Sequence, residues 1–154
     1  MRFEIPARGT FPAKVMYSPR LRTFLSYKGT RQDVSFHSII DSGADYCVFP
    51  AKFGESIGLD LTKGDHLPSY GVGGKDILYF HNIQINIVIE GDSWEFDCFA
   101  GFSSRLDERG VGFLGRHGFF ELFEEVTFNQ NKQKIILSGD GKKPTKLRQV
   151  EPFF

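Results

Sequence analysis

The stretch Ile39-Ile40-Asp41-Ser42-Gly43-Ala44-Asp45-Tyr46-Cys47-Val48-Phe49-Pro50 constrains this chain more than any other. Two β-branched residues run into an acid, a hydroxyl and a glycine, and the chain then turns apolar again. Such a pattern predicts a strand that ends on a tight turn and carries the Asp41 carboxylate out at its tip. Gly43 is expected to permit a conformation that a side chain would block, and to let another segment approach closely. The Ser42 hydroxyl is suited to tying the turn to a neighbouring backbone. By itself, Asp-Ser-Gly is equally an ordinary strand-ending turn, so its meaning depends on the rest of the chain.

The rest of the chain is built for sheets. At 154 residues it holds one domain, and its 17 Phe and 17 Gly point to aromatic packing joined by tight turns. Nineteen basic and 19 acidic residues cancel, which argues against a phosphate-gripping surface and against nucleic acid as a partner. No apolar run is long enough to span a membrane, and Met1-Arg2-Phe3-Glu4-Ile5-Pro6 reads as a translation start rather than an export signal. The only cysteines, Cys47 and Cys98, lack metal-type spacing and read as two buried thiols. A cytoplasmic location is the expectation that follows.

Residues 1–12, with Pro6, Gly9 and Pro12, read as an extended lead-in. Thr23–Tyr27 and Val34–Ile40 read as strands around a Lys28-Gly29-Thr30-Arg31 turn, the second delivering Asp41. Ala51–Leu59 reads as a short helical turn weakened by glycines, and Gly71-Val72-Gly73-Gly74 as a hairpin tip. A phosphate cradle there is disfavoured, because Lys75 is followed by Asp76 rather than a hydroxyl. Ile83, Ile85, Ile87 and Ile89 alternate cleanly, and after Gly91-Asp92 so do Trp94, Phe96, Cys98 and Ala100; together they predict a hairpin with one buried face. Gly101–Gly112 reads as a polar loop. Phe119, Leu122, Phe123 and Val126 fall at helical spacing, with Glu121, Glu124 and Glu125 on a solvated face. Thr127-Phe128 and Lys134–Leu137 form a closing hairpin, and the basic residues beyond Gly141 read as a solvated tail. The four histidines lack ligand spacing, so no metal and no cofactor is expected.

Three pieces occur in order: Asp41-Ser42-Gly43-Ala44-Asp45, Gly71-Val72-Gly73-Gly74, and Phe113-Leu114-Gly115-Arg116 before an apparent helix. In that order they closely resemble the retropepsin-like aspartic proteases, the family that includes the retroviral proteases. The resemblance covers residues 20–137, leaving 1–19 as an N-terminal extension and 138–154 as a C-terminal tail. It implies an all-β fold: a closed, mostly antiparallel retropepsin-like acid-protease barrel with one short helix near the C-terminus. It also implies an aspartic endopeptidase that hydrolyses peptide bonds with two carboxylates sharing one proton. Because the chain has one Asp-Ser-Gly, the second Asp41 must come from a second copy across a two-fold axis, which makes a homodimer the expected partner.

Carried over residue by residue, the resemblance makes Asp41 catalytic and Ser42 a contact to the partner's turn. Gly43, Ala44 and Asp45 line the substrate cleft, and Gly71, Val72 and Gly73 form a flap tip over a polypeptide substrate. The Asp45 side chain pairs with Arg116, expected as a partly buried, bidentate ion pair supporting the site. Alanine at 44 lacks a hydroxyl to stabilise the charged carboxylate, so a mildly acidic optimum is expected. His117 departs from the Asp or Asn that retroviral relatives often carry. Those relatives also interleave their chain ends at the dimer interface, and the sequence leaves open where Gln149–Phe154 goes. Two rivals remain: a catalytically silent dimerisation or peptide-binding module on the same fold, and a small monomeric barrel with a ligand inside.

Overall fold

Alternation with a period of two dominates the local signal, and strands are what it produces. The computed structural model describes residues 1–6, 9–11, 14–16, 18–71, 74–139 and 146–151. The first strands are β1 (Arg2–Pro6), β2 (Gly9–Phe11), β3 (Lys14–Met16) and β4 (Arg20–Tyr27). They are followed by β5 (Thr30–Arg31), β6 (Phe36–Ile40) and β7 (Val48–Pro50), and then by the helix α1 (Ala51–Ser56). After a 3-10 turn at Leu61–Lys63 come β8 (Asp65–Gly71), β9 (Gly74–Ile89) and β10 (Asp92–Ser103). A second 3-10 turn, Ser104–Leu106, leads to β11 (Val111–Leu114) and a third, Phe120–Leu122. The chain closes with β12 (Glu125–Asn129), β13 (Lys134–Ser138) and β14 (Arg148–Val150).

Six strands close on themselves in the order β10, β7, β11, β6, β4, β9, with the β9–β10 hairpin completing the ring. Most neighbours are antiparallel, but β6 runs parallel to β11 and β7 parallel to β10. Ile83, Ile85, Ile87 and Ile89 are all buried, as their alternation requires. They meet Leu25, Ile40, Phe49, Phe96, Phe102, Leu114 and Phe119 in the core. Burying one such side chain contributes roughly 1.5–3 kcal/mol.

Both chain ends belong to this body. β1 pairs antiparallel with β13, burying Phe3 and Ile5, while β12 takes the other side of β13. β14 folds back onto β10, pairing Val150 with Ser93 and Arg148 with Glu95. The expectation of a solvated tail is therefore overturned for its described part: Leu147 is buried, and Arg148 bonds to the Glu95 and Asp97 carboxylates.

The helix expected over Phe119–Val126 is a single 3-10 turn. Phe119, Leu122 and Phe123 are buried and Val126 partly so, but one turn satisfies the spacing of the first three. The Glu124 N–H then donates to the Ser138 carbonyl at 2.9 Å, drawing the chain into β12, where Val126, Thr127 and Phe128 suit a strand. The α-helix among the described residues is instead α1, whose Gly54 makes room for Phe102 and Leu61.

Candidate active site

Two parallel strands bring Asp41 to its place. The Asp41 N–H donates to the Leu114 carbonyl at 3.0 Å, so the residue sits where β6 and β11 end together. The turn closes as Ala44 N–H donates to the Asp41 carbonyl (3.2 Å) and Gly43 N–H to Asp41 Oδ1 (2.9 Å). Gly43 does not have the left-handed backbone that a glycine alone would favour. A Cβ there would stand 3.2 Å from Asp41 Oδ1, a tight contact with the carboxylate. Ser42 is exposed, and its hydroxyl makes no hydrogen bond among the described residues.

The next few residues are clamped against the segment after β11. Arg116 N–H donates to the Ala44 carbonyl at 2.9 Å, and His117 N–H donates to the Asp45 carbonyl at 2.8 Å. Gly115 is what lets the two segments meet: a Cβ on it would lie 2.2 Å from the Tyr46 carbonyl oxygen. Arg116 pairs with Asp45, but through one guanidinium nitrogen and one carboxylate oxygen. The side chains are 61% and 63% exposed, so the pair is not the partly buried one expected. The His117 ring lies 5.5 Å from that of Tyr46, which meets Phe80 edge-on. Below them Cys47 and Cys98 face one another, with the Cys47 thiol directed to the His117 carbonyl. Hydrogen bonding to Cys47, reinforced by burial, pushes the Cys98 thiol far up, which makes it inert as a nucleophile.

Over this floor stands the hairpin of β8 and β9. Its register pairs Gly71 with Gly74, whose φ of 96° supplies the turn. Val72 and Gly73 lie outside the described residues. The hairpin exposes Leu67, Tyr70 and Ile77, Tyr70 to 75%. Close to its turn, where Asp76 pairs with Ser69, the hairpin is tied to the barrel by the Ser103 hydroxyl, which donates to the Asp76 carboxylate.

Between hairpin and floor lies a cavity of about 480 Å³ whose walls include Asp41, Ala44, Val48, Leu78, Arg109 and Phe113. A neighbouring recess of about 330 Å³ takes in Gly43, Asp45, Tyr46, Leu67 and Tyr70. They share Ala44, Val48, Ser69 and Leu78, and together make one trough beneath the hairpin. The structure thus brings Asp41, Gly43, Ala44 and Asp45 to one trough, with Gly71 above and Arg116 behind Asp45. Sequence reasoning missed Val48, Leu78, Asp76, Ser103 and the arginines of the Ser104–Gly110 loop. The one available signal was a pair of arginines, Arg105 and Arg109, in a loop read only as polar.

The closed ring, the parallel β6–β11 pair ending on Asp41 and the overhanging hairpin define an all-β, retropepsin-like barrel. Among solved structures, the chain is similar to a retropepsin-like aspartic protease from Rickettsia conorii, with a TM-score of 0.57 and 17% sequence identity. The match covers 97% of this chain and 96% of that one. No family model matches the sequence, and no curated protein matches it.

Proposed function

We propose that this chain is an aspartic endopeptidase acting as a homodimer, each copy contributing one Asp41. The observation that carries the reading is Asp41 at the joined ends of β6 and β11, opening into a trough roofed by a hairpin. In the paired enzyme one carboxylate is ionised and the other holds a proton. The ionised group takes a proton from a water molecule, whose oxygen attacks the peptide carbonyl carbon. The protonated group gives its proton to the carbonyl oxygen, forming a neutral gem-diol. Collapse of that intermediate breaks the C–N bond as the protonated carboxyl gives the nitrogen a proton and the ionised carboxylate takes one from a gem-diol hydroxyl, which restores the singly protonated pair and releases the acid and amine products. The substrate lies extended between hairpin and floor, pairing its backbone as an added strand, while Val48, Leu78 and Phe113 receive apolar side chains.

Purified protein incubated with a peptide library across pH, with and without pepstatin, tests this. Cleavage is expected, inhibited by pepstatin and reduced by at least about a thousandfold in Asp41→Asn. A folded protein that cuts nothing at any pH, or an Asp41→Asn variant that still cuts, overturns the reading. Partner binding by that variant without turnover in the parent would identify a silent binding module.

A further inference from the structure

One wall of the trough carries a cation with no hydrogen bond or ion pair among the described residues. Its charged lining consists of Asp41, Asp76, Arg105 and Arg109. Asp76 accepts the Ser103 hydroxyl and the Ile77 N–H, the latter at 2.8 Å. Arg105, whose guanidinium lies beneath Gly74, is already engaged. Arg109 has neither hydrogen bond nor ion pair among the described residues.

The loop bearing it is held firmly. Ser103 Oγ accepts the Arg105 N–H at 3.2 Å, Asp107 N–H donates to the Ser104 carbonyl, and Gly110 N–H donates to the Leu106 carbonyl at 2.9 Å. The Asp107 carboxylate also accepts the Lys52 N–H at 3.0 Å, pinning the loop to α1. These bonds fix the backbone that places Arg109 at the cleft wall, while its exposed side chain keeps the rotamer freedom to reach a ligand there. Arginines on open surfaces are ordinary. This one shares a cavity with Asp41, Val48, Leu78 and Phe113, where a bound peptide displaces water and strengthens any ion pair.

Resting on the endopeptidase reading, we propose that Arg109 is a specificity-determining residue that receives an acidic side chain of the substrate, Glu or Asp, close to the scissile bond. The planar fork of the guanidinium matches a carboxylate in two parallel hydrogen bonds. The apolar walls around it take the aliphatic stem of such a side chain.

The test uses paired peptides differing only by Glu or Gln, walked through the positions flanking a cleavage site, with full-length protein at pH 6. At one position on either side, kcat/KM is expected to favour Glu by about three- to tenfold. Arg109→Glu is expected to invert that ratio, and Arg109→Lys to keep its direction at a smaller value. Equal ratios at every position, or an Arg109→Glu ratio matching the parent's, overturn the proposal while leaving the endopeptidase reading intact. In parallel, dissociation constants of the same peptides are measured on Asp41→Asn by fluorescence anisotropy. Tighter binding of the Glu peptide there, lost in Asp41→Asn/Arg109→Glu, supports the subsite even if the parent cuts nothing. Binding indifferent to Glu or Gln, or no binding at all, overturns it.

Discussion

Replacing Gly115 with alanine is the sharpest test of how the site is held. The added Cβ would lie 2.2 Å from the Tyr46 carbonyl oxygen, 2.5 Å from its carbon and 2.7 Å from the Ala44 oxygen. All three are backbone atoms, so no side chain can swing aside. Restoring even a tight contact of about 3 Å needs the two segments to part by roughly 0.8 Å. That movement strains the Arg116 N–H to Ala44 and His117 N–H to Asp45 hydrogen bonds, now 2.9 and 2.8 Å. Losing one of them forfeits about 1 kcal/mol net, and the carbonyl left unpaired costs about 1–3 kcal/mol more, so the loss comes to about 3 kcal/mol. For a chain of this length, that lowers Tm by roughly 6–12 °C. Urea unfolding followed by the fluorescence of Trp94, the chain's one tryptophan, measures it directly. Gly139→Ala is the control, since a Cβ there meets nothing within 4 Å. A Gly115→Ala midpoint equal to that of the control would refute the close-approach argument.

Three further outcomes are expected. Arg116→Lys changes the urea stability of the dilute protein by less than about 1 kcal/mol, because its pair with Asp45 is largely exposed; a loss of several would mean that the pair is covered. The Lys134 ammonium hydrogen-bonds Glu4, with Arg2 helping, and holds its carboxyl below the ordinary value of 4.5. A carboxyl lowered by folding stabilises above its unfolded value and ceases to as pH falls through the folded one. The gap in Tm between parent and Glu4→Gln should therefore be present at pH 6 and close below about pH 4; a gap that widens in acid contradicts this. Finally, Cys47 and Cys98, both buried, should react with Ellman's reagent only as the protein unfolds, and rapid labelling of the native protein would contradict the packing around Gly118.

What could be read from the sequence was local. The isoleucine alternation of β9, the β12–β13 hairpin and the Asp41 turn each follow from neighbours a few residues apart. The parallel pairings of β6 with β11 and β7 with β10 have no such signature, since they join segments some 50 to 75 residues apart through crossovers. Phe119, Leu122 and Phe123 misled because a three- and four-residue spacing fits one 3-10 turn as well as two α-helical turns. Gly43 is expected from sequence to give conformational freedom and close approach, but that what it approaches is the Asp41 carboxylate shows only in three dimensions. Arg109 was hidden for a related reason: a loop's polarity says nothing of which side chains face a cleft.

The placement of β1 and β14 carries a consequence for assembly. Each terminal strand is hydrogen-bonded to its own chain, against β13 and β10 respectively. Neither strand needs a second copy to complete this pairing. If two copies pair as proposed, joining and parting need no re-pairing of these strands, so dilution would abolish cleavage while each copy stays folded.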